Sequence, residues 1–348
     1  MKIVYLAATS ELGPASRYRI YQFINYFEQE GIDIDVLPAL SDAWLLAERD
    51  SGAKRTIGRL KSGSAGLVRR FQQLLQVGDH DLLIIERELF PKLPGFIENL
   101  LLRSKGPYGV ELDDAIYLAP GRTQKYARFV ENSAFVIAGN ENLAQWTRKH
   151  QPNTHVIPTC VPVDRYTPKQ NYELGSVAKL GWVGLPVNFQ YLQPLSQEIQ
   201  SLRASMPCRL QVVSGRRPSF VGQDAFVPWD SSSEADAIAQ FDIGVMPLPT
   251  SSFAEGKCGL KILQYMAAGI PVVASAVGVN RTIIQDGVNG LLVERLDQWK
   301  PAIERLLGDQ ELRKKIGRAG RQRVETDYST KVWGPKLVAL YQDLAAKH

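Results

Sequence analysis

The 348-residue sequence is poor in the residues that carry most redox, metal and disulfide chemistry. It contains three cysteines, Cys160, Cys208 and Cys258, and only four histidines. Scattered cysteines in an odd number predict free thiols in a reducing compartment and exclude a disulfide framework. No cysteine or histidine group has metal-ligand spacing, and no Walker loop, dinucleotide fingerprint or nucleophile elbow is present. We therefore expect neither a bound metal nor an organic cofactor.

Long apolar runs and charge of one sign are also missing. No apolar run approaches the roughly 18 residues that a membrane-spanning helix needs. The opening MKIVYLAATSE reaches Glu11 too soon for a signal peptide and instead predicts a first strand over residues 2–7. A net charge of +5 is only mildly basic and too evenly mixed to argue for nucleic acid as a partner, so we expect none. We expect a cytoplasmic protein.

Short apolar runs alternate with helix-length segments along the whole chain. This pattern is typical of parallel strands joined by crossover helices, and a hydrophobic content of 45% is enough for two domain cores. A polar stretch with three prolines, residues 158–175, separates the halves and predicts a linker. The predicted strands cover residues 2–7, 33–37, 82–85, 109–112, 135–138, 155–157, 179–183, 209–214, 243–246, 272–275 and 290–293.

The stretch AEGKCGLKILQYMAAG is the most informative part of the chain. Gly256 and Gly259 allow the backbone to approach a ligand closely. The helix that follows presents unpaired N–H groups and the positive end of its dipole to an anion such as a diphosphate. Lys257 and Lys261 add full positive charge in the same stretch.

Ligands of open parallel sheets bind beyond the carboxyl ends of the strands, and this rule selects candidates in the first half. Arg17 and Arg19 follow the first strand and can hold an anion, although either can also lie on a solvent-facing helix start. Arg87 follows the strand 82–85. Asp113 and Asp114 follow the next strand; one can orient or deprotonate an acceptor hydroxyl, and the other can cap a helix.

The same rule selects Asn140 after the strand 135–138, and Gly184 and Arg216 at strand ends in the second half. Arg216 can reach a diphosphate, or it can lie in a solvated loop. Two D-x-D strings, at 33–35 and 79–81, fall at or before the amino ends of strands. We interpret both as structural, because the expected site lies at the opposite edge.

Residues 51–78 form a basic segment without a single acidic residue. Apolar residues are interspersed, which is typical of a segment that rests on an anionic membrane surface. A mobile loop and helix explains the segment equally well. The basic residues are Lys54, Arg55, Arg59, Lys61, Arg69 and Arg70.

The stretches GLKILQYMAAGIPVVAS and VGVNRTIIQDGVNGLLV strongly resemble the nucleotide-sugar-dependent glycosyltransferases of family 4, in particular members from polysaccharide and lipopolysaccharide gene clusters. Weaker similarity extends over almost the whole chain. It includes GPASRYR, VELDDAIYL, AGNENLA, VIPTCVPVDRYTP, GWVG and YSTKVWGPKLVALYQDL.

The resemblance implies the GT-B fold, in which two doubly wound, Rossmann-like α/β domains face each other across a cleft. We expect an acceptor-side domain over residues 1–165 and a nucleotide-sugar-binding domain over 166–330. The final helix, 331–348, would return to the first domain, with Trp333, Leu337, Leu340 and Leu344 as its apolar face. The implied reaction moves a sugar from a nucleotide-sugar donor to a saccharide or lipid-linked acceptor with retention of configuration, and GT-B enzymes generally need no metal for it.

The resemblance also distributes roles among the candidates. Asp113, Asp114 and Glu255 would meet the transferred sugar and the acceptor as catalytic groups. The implied acceptor-binding residues are Arg17, Arg19, Arg87 and Asn140. The implied donor-binding residues are Gly184, Arg216, Gly256, Lys257, Cys258, Gly259, Lys261 and Gln264.

One departure from the family pattern bears on these roles. Family members usually carry two glutamates eight positions apart, and the corresponding positions here are Gly256 and Gln264, with Glu255 one position early. Gln264 can still hydrogen-bond a ribose hydroxyl through its amide. A catalytically degenerate protein that binds a nucleotide sugar or a glycan therefore stays open, as does a GT-B epimerase or phosphorylase.

Overall fold

The computed structural model describes residues 1–50, 52–91, 93–220 and 225–347. The chain divides into two compact units. Unit 1 comprises residues 1–159, 255–258 and 330–348, and unit 2 comprises residues 160–254 and 259–329.

Each unit is built on a parallel sheet whose strands are mostly joined by helices. The strands are β1 (Lys2–Leu6), β2 (Asp33–Val36), β3 (Leu82–Glu86), β4 (Tyr108–Leu112), β5 (Phe135–Ala138), β6 (Thr154–Val156), β7 (Ala178–Val183), β8 (Cys208–Ser214), β9 (Ala225–Pro228), β10 (Ile243–Met246), β11 (Val272–Ser275) and β12 (Leu291–Val293). The helices are α1 (Pro14–Arg19), α2 (Ile24–Gln29), α3 (Asp42–Leu46), α4 (Gly52–Gln76), α5 (Gly95–Leu102), α6 (Thr123–Glu131), α7 (Glu141–Thr147), α8 (Phe189–Leu202), α9 (Glu234–Ala239), α10 (Ser252–Glu255), α11 (Leu260–Ala267), α12 (Asn280–Ile283), α13 (Trp299–Gly308), α14 (Gln310–Asp327) and α15 (Thr330–Ala345).

In unit 1 the strand order is β2-β1-β3-β4-β5-β6, and every pairing is parallel. Helices on both faces bury the central strands completely, which explains why β3 is an unbroken apolar run before its final Glu86. Gly109 on β4 leaves room for a neighbouring ring, since a Cβ atom there would lie 2.1 Å from Phe135. The strand order reverses at β1, so the crevice between β1 and β3 is a topological switch point.

In unit 2 the order is β12-β11-β10-β7-β8-β9, again parallel throughout. The core combines apolar residues of the sheet with those of α8, α13 and α14. Gly181 on β7 accommodates the Phe241 ring, because a Cβ atom there would lie 1.9 Å from it. Here the order reverses at β7, which places the switch point between β7 and β10.

All eleven predicted strands are present, with ends that move by no more than about two residues. The sequence analysis did not predict β9, which forms one edge of the unit 2 sheet. This strand is only partly buried and ends in Pro228, so it lacks the apolar run that revealed the others.

Residues 158–175, predicted to be a linker, are irregular but packed. Tyr166 and Tyr172 are buried, and the Tyr172 hydroxyl donates to the carbonyl of Gly269 at 2.9 Å. Nζ of Lys169 donates to the carbonyl of Phe241 at 2.9 Å. The stretch beyond residue 159 is therefore a structural part of unit 2.

Helix α15 packs on α2 and β3 of unit 1. Its buried face includes Leu337 and Leu344, as the sequence predicted, together with Val338 and Tyr341. Trp333 and Leu340, also predicted for this face, are only partly buried. Among the described residues, no helix has the length and apolar character needed to cross a membrane.

Candidate functional site

The switch point of unit 2 brings together a glycine, a lysine and a helix start. Gly184 follows β7, and a Cβ atom there would lie 2.7 Å from Cε of Lys261. The Lys261 side chain therefore crosses close over this backbone, with Nζ 5.5 Å from the centre of the Trp182 ring. Any larger residue at position 184 would displace the lysine.

Helix α11 begins at this point because Gly259 turns the chain. Its φ of +69° lies in the left-handed region that glycine tolerates best. A Cβ atom at Gly259 would also lie 2.5 Å from Cδ1 of Ile283. The first turn of α11 carries no acidic residue, so its N–H groups and Lys261 create a site suited to an anion.

Two other predicted donor residues of unit 2 lie in different environments. Arg216 is half-buried directly beyond the end of β8. Gln264 is buried, and its Nε2 donates to the Tyr166 hydroxyl at 3.2 Å.

The loop before α11 belongs to unit 1. Asn140 caps α7 through its side-chain oxygen, which accepts from the Leu143 amide. The Asn140 amide nitrogen donates to the carbonyl of Gly256 at 2.9 Å. Asn142 donates to the carbonyl of Glu255 at 2.9 Å. Asn140, predicted to bind an acceptor, is thus placed where it positions residues 255–258.

Cys258 makes a further hydrogen bond between residues 255–258 and the rest of unit 1. Its thiol donates to the carbonyl of Asp113 at 3.1 Å. Burial, and then the neighbouring Asp113 carboxylate, raise the pKa of the thiol to about 12. Cys258 is therefore a neutral packing and hydrogen-bonding residue.

The attached loop carries Lys257 to the carboxylate pair at the end of β4. Nζ of Lys257 lies 3.4 Å from Oδ1 of Asp114. Arg87 binds Asp113 in a bidentate arrangement, with Nε 2.6 Å from Oδ1 and Nη2 2.8 Å from Oδ2. Nη2 of Arg87 also lies 3.7 Å from Oδ2 of Asp114. Sequence reasoning selected all four residues, but it did not predict this pairing.

The two carboxylates differ electrostatically. Burial raises the pKa of Asp113, but the charge and hydrogen bonds of Arg87 outweigh it, so this pKa is lowered. Burial also raises the pKa of Asp114, which Lys257 only partly offsets while the charge of Asp113 adds to it, so this pKa is raised. Asp113 is therefore a fixed carboxylate, and Asp114 is the more readily protonated of the two.

Arg87 has an unusual backbone. Its φ of +65° makes it the sole non-glycine residue with positive φ among the described residues. Such a conformation costs energy and persists where surrounding contacts hold it, as at many functional sites. The two hydrogen bonds to Asp113 are contacts of that kind.

The switch point of unit 1 is held by Glu86, whose role sequence reasoning did not resolve. Oε2 of Glu86 accepts from the amide of Ala8 at 2.8 Å and from the Ser16 hydroxyl at 2.6 Å. Oε1 has no hydrogen-bond partner among the described residues. Burial, with a smaller contribution from Asp113, raises the pKa of Glu86 to about 7, against the opposing effect of Arg87.

The predicted acceptor residues of α1 are both buried. Arg19 is only 3% exposed, with Nε 2.5 Å from Oε1 of Glu111 and Nη1 donating to the carbonyl of Ile157. Glu111 also accepts from the Tyr5 hydroxyl at 2.7 Å. The Arg17 guanidinium lies 5.0 Å from the Tyr18 ring centre. Arg19 and Glu111 therefore form an internal ion pair. The sequence analysis did not select Glu111, because this residue lies inside β4, a strand that is buried throughout.

Comparison with known proteins agrees with this fold. Residues 178–309 match the family model described as glycosyl transferases group 1. The chain is 39% identical over 102 residues to a D-inositol 3-phosphate glycosyltransferase of Geodermatophilus obscurus, a stretch that covers 29% of this chain and 21% of that protein. It is 28% identical over 245 residues to the protein of the same description from Xylanimonas cellulosilytica, covering 59% of this chain and 57% of the relative.

Solved structures match over nearly the whole length. Sucrose-phosphate synthase from Thermosynechococcus elongatus superimposes with a TM-score of 0.72 at 16% identity and covers 100% of both chains. The Anabaena protein HepE, solved with UDP-glucose, gives a TM-score of 0.71 at 14% identity and covers 99% of both chains. The fold is therefore that of the GT-B glycosyltransferases. The segment that matches the glycosyl transferases group 1 model, residues 178–309, lies within this fold.

Proposed function

We propose that the protein is a glycosyltransferase that moves a sugar from a nucleotide-sugar donor to a saccharide or lipid-linked saccharide acceptor. The observation that carries this proposal is the placement of Lys261 and the start of α11 over Gly184, at the switch point of the glycosyl transferases group 1 domain. The partly matching relatives described as D-inositol 3-phosphate glycosyltransferases support the same reaction class.

The donor in this proposal is a nucleoside diphosphate sugar bound by unit 2. When the bond between the sugar and the diphosphate breaks, negative charge develops on the departing diphosphate. Lys261 and the N–H groups at the start of α11 can stabilise that charge, with Arg216 as a further cation, so the proposal requires no metal ion. HepE was solved with UDP-glucose, which makes uridine nucleotides the first to test here.

Acceptor recognition is assigned to unit 1. Asp114 accepts a hydrogen bond from the acceptor hydroxyl, and Asp113 stays bound to Arg87 and fixes the position of its neighbour. Glu255 is assigned to the transferred sugar, and retention of configuration is carried over from the resemblance. We place the enzyme in the cytoplasm and at the inner face of the membrane, where a lipid-linked acceptor would be found.

The first experiment measures thermal unfolding with a panel of nucleoside diphosphates and nucleotide sugars. A ligand that binds only the folded protein at 100 times its Kd stabilises it by about 2.7 kcal/mol. We expect one nucleotide class to raise the Tm of the wild type, and Lys261→Ala to abolish the shift. Lys300→Ala, on α13 and partly exposed, serves as the matched lysine control and should keep it.

The second experiment measures turnover with the donor thus identified. Release of the nucleoside diphosphate that depends on an added saccharide or lipid-linked acceptor, with a glycosylated product, would establish transfer. Stabilisation by a nucleotide sugar without turnover on any acceptor would contradict the proposal and indicate a binding protein. No stabilisation by any of the nucleotides would refute the assigned donor site.

A further inference from the structure

The turn that follows β1 already holds an anion that belongs to the chain itself. In Rossmann-like sheets a phosphate binds at the first turn of the sheet, where backbone N–H groups and hydroxyls point at it. Here the amide of Ala8 and the hydroxyl of Ser16 both donate to Oε2 of Glu86, at 2.8 and 2.6 Å. The amide of Thr9 donates to the Ser16 oxygen at 3.1 Å. The Glu86 carboxylate therefore takes up donors that a phosphate would need.

Two buried arginines near this turn also serve groups of the chain. Nε of Arg19 lies 2.5 Å from Oε1 of Glu111. Arg70 of α4, together with the buried Gln73, donates to three carbonyls that directly follow β1 and β2, those of Ala7, Leu37 and Pro38. The backbone leaves the sheet at these carbonyls and needs hydrogen-bond donors there. Both guanidinium groups are thus engaged by the protein, which does not favour them as ligands of an external phosphate.

The second carboxylate oxygen of Glu86 lacks a donor. The side chain is 1% exposed, and its Oε1 has no hydrogen-bond partner among the described residues. Besides burial and the opposing charge of Arg87, the charge of Asp113 affects the pKa of Glu86, so the two carboxylates are neighbours. A buried acceptor without a donor is costly, and it indicates a place for a group that is not part of the chain.

The missing group has to donate a hydrogen bond to Oε1 without adding negative charge. A hydroxyl donates one hydrogen bond and keeps its own oxygen as an acceptor, so a sugar hydroxyl suits this position. A phosphate oxygen only accepts, and its charge is repelled by a carboxylate at contact distance. The chemistry of the crevice between β1 and β3 therefore favours a neutral saccharide.

We propose that Glu86 determines acceptor specificity: its Oε1 accepts a hydrogen bond from a hydroxyl of the acceptor sugar, and its charge excludes an acceptor with a phosphate at that position. This inference rests on the proposed glycosyl transfer and narrows its acceptor to a sugar unit that is neutral where it meets Glu86. Asp114 keeps its assignment to the reacting hydroxyl, and Glu86 is a binding residue. The proposal also reverses the expectation from the sequence that the residues after β1 hold an anion.

The test compares matched acceptors in an assay of nucleoside diphosphate release, with the donor found by thermal unfolding. The pairs are glucose and glucose 6-phosphate, N-acetylglucosamine and its 6-phosphate, and myo-inositol and its 1-phosphate. The assay runs at pH 8, above the pKa of about 7 that burial gives Glu86. We expect the wild type to favour a neutral member by at least about tenfold in kcat/KM, because the like charge of the phosphate is repelled.

Glu86→Gln keeps the size of the side chain but replaces one carboxylate oxygen with an NH2 donor. Its KM for the neutral acceptor should rise about tenfold with kcat nearly unchanged, because a hydrogen bond to a charged group is lost in the ground state and the transition state alike. Its preference for the neutral member should fall to about threefold or less. The matched control Glu30→Gln, exposed at the end of α2, should behave like the wild type.

Saturation-transfer NMR on the same pairs measures acceptor binding without turnover. Wild-type protein that binds a neutral saccharide through Glu86 but transfers no sugar would contradict the glycosyltransferase function and leave the role of Glu86 supported. An unchanged KM in Glu86→Gln would mean that Oε1 holds only a water molecule and would overturn the inference. A wild type that prefers the phosphorylated members, or that binds no neutral member, would overturn it as well; the first result would return the crevice to an anion held by Arg17.

Discussion

Replacing Arg87 should separate the energy of its ion pair from that of its backbone strain. Arg87 binds Asp113 through two short hydrogen bonds, and the side chains are 29% and 14% exposed. Removing one partner of a fully buried pair costs 3–5 kcal/mol. Because both groups here retain some contact with water, we expect Arg87→Ala to lower the free energy of unfolding by about 2–3 kcal/mol.

Arg87→Gly removes the same ion pair but also relieves the positive φ of +65°. An L-residue in the left-handed region costs roughly 1–2 kcal/mol, and the greater flexibility of glycine in the unfolded chain returns part of that gain. Arg87→Gly should therefore be about 1 kcal/mol more stable than Arg87→Ala. No contact energy can produce this difference, because both variants lack the guanidinium.

The pH dependence of stability shows whether the ion pair between Arg87 and Asp113 stabilises the folded protein. The pKa of Asp113 is lowered in the folded protein, since Arg87 outweighs the effect of burial. Its stabilisation is therefore present above the unfolded pKa of about 3.9 and is lost as pH falls through the folded pKa. The difference in free energy of unfolding between the wild type and Arg87→Ala should be constant near pH 7 and should become smaller below about pH 4.

Native-state hydrogen exchange at the amides of β3 and β4 is the appropriate assay, because it reports opening of these strands separately from unit 2. Equal stability of the alanine and glycine variants would refute the strain argument. A loss below about 0.5 kcal/mol in Arg87→Ala would show that the pair is no stronger than a surface salt bridge.

Three further changes test other parts of the structure. The pKa of Glu86 is raised to about 7 in the folded protein, so its contribution to stability is greatest below the unfolded pKa and is lost as pH rises through 7. Thermal melts from pH 5 to 8 should therefore show a Tm that falls in the wild type, and Glu86→Gln should lack this fall. Asn140→Ala removes a helix cap and the hydrogen bond to the carbonyl of Gly256. Urea unfolding should therefore show a free energy of unfolding lowered by about 2 kcal/mol, and the exposed control Asn142→Ala should lower it less. Equal losses of stability would contradict the assigned anchoring role. Gly317→Ala puts a Cβ atom 2.3 Å from a backbone oxygen and should lower the free energy of unfolding by about 1–3 kcal/mol. The control Gly63→Ala has no atom within 4 Å of the added Cβ and should raise it by about 1 kcal/mol. An unchanged stability in Gly317→Ala would refute the packing argument.

Much of the site followed from position along the chain. Arg87 and the two aspartates were selected because they follow strands, and parallel strands end at one edge of a sheet. Lys261 was selected because it opens a helix after glycine. Both arguments are local, and the structure places these residues at the carboxyl edges as expected.

The partners of those residues did not follow from the sequence. Lys257 was predicted to bind the donor diphosphate, but the described structure pairs it with Asp114. Arg19 was predicted to bind the acceptor, but it pairs with Glu111, 92 positions away. Such pairs join side chains that are distant in sequence, and the periodicity of apolar residues does not predict them.

The sequence by itself determined which segments become strands and helices, because apolar periodicity and glycine or proline breaks act over a few residues. Only the tertiary structure decided that residues 255–258 belong to unit 1 and that α4 turns Arg70 inward. The physical reason is that these outcomes depend on which backbone carbonyls lack a partner once the sheets have formed. Asn140, Arg70 and Gln73 supply those hydrogen bonds, and their choice of partner is fixed by packing between distant parts of the chain.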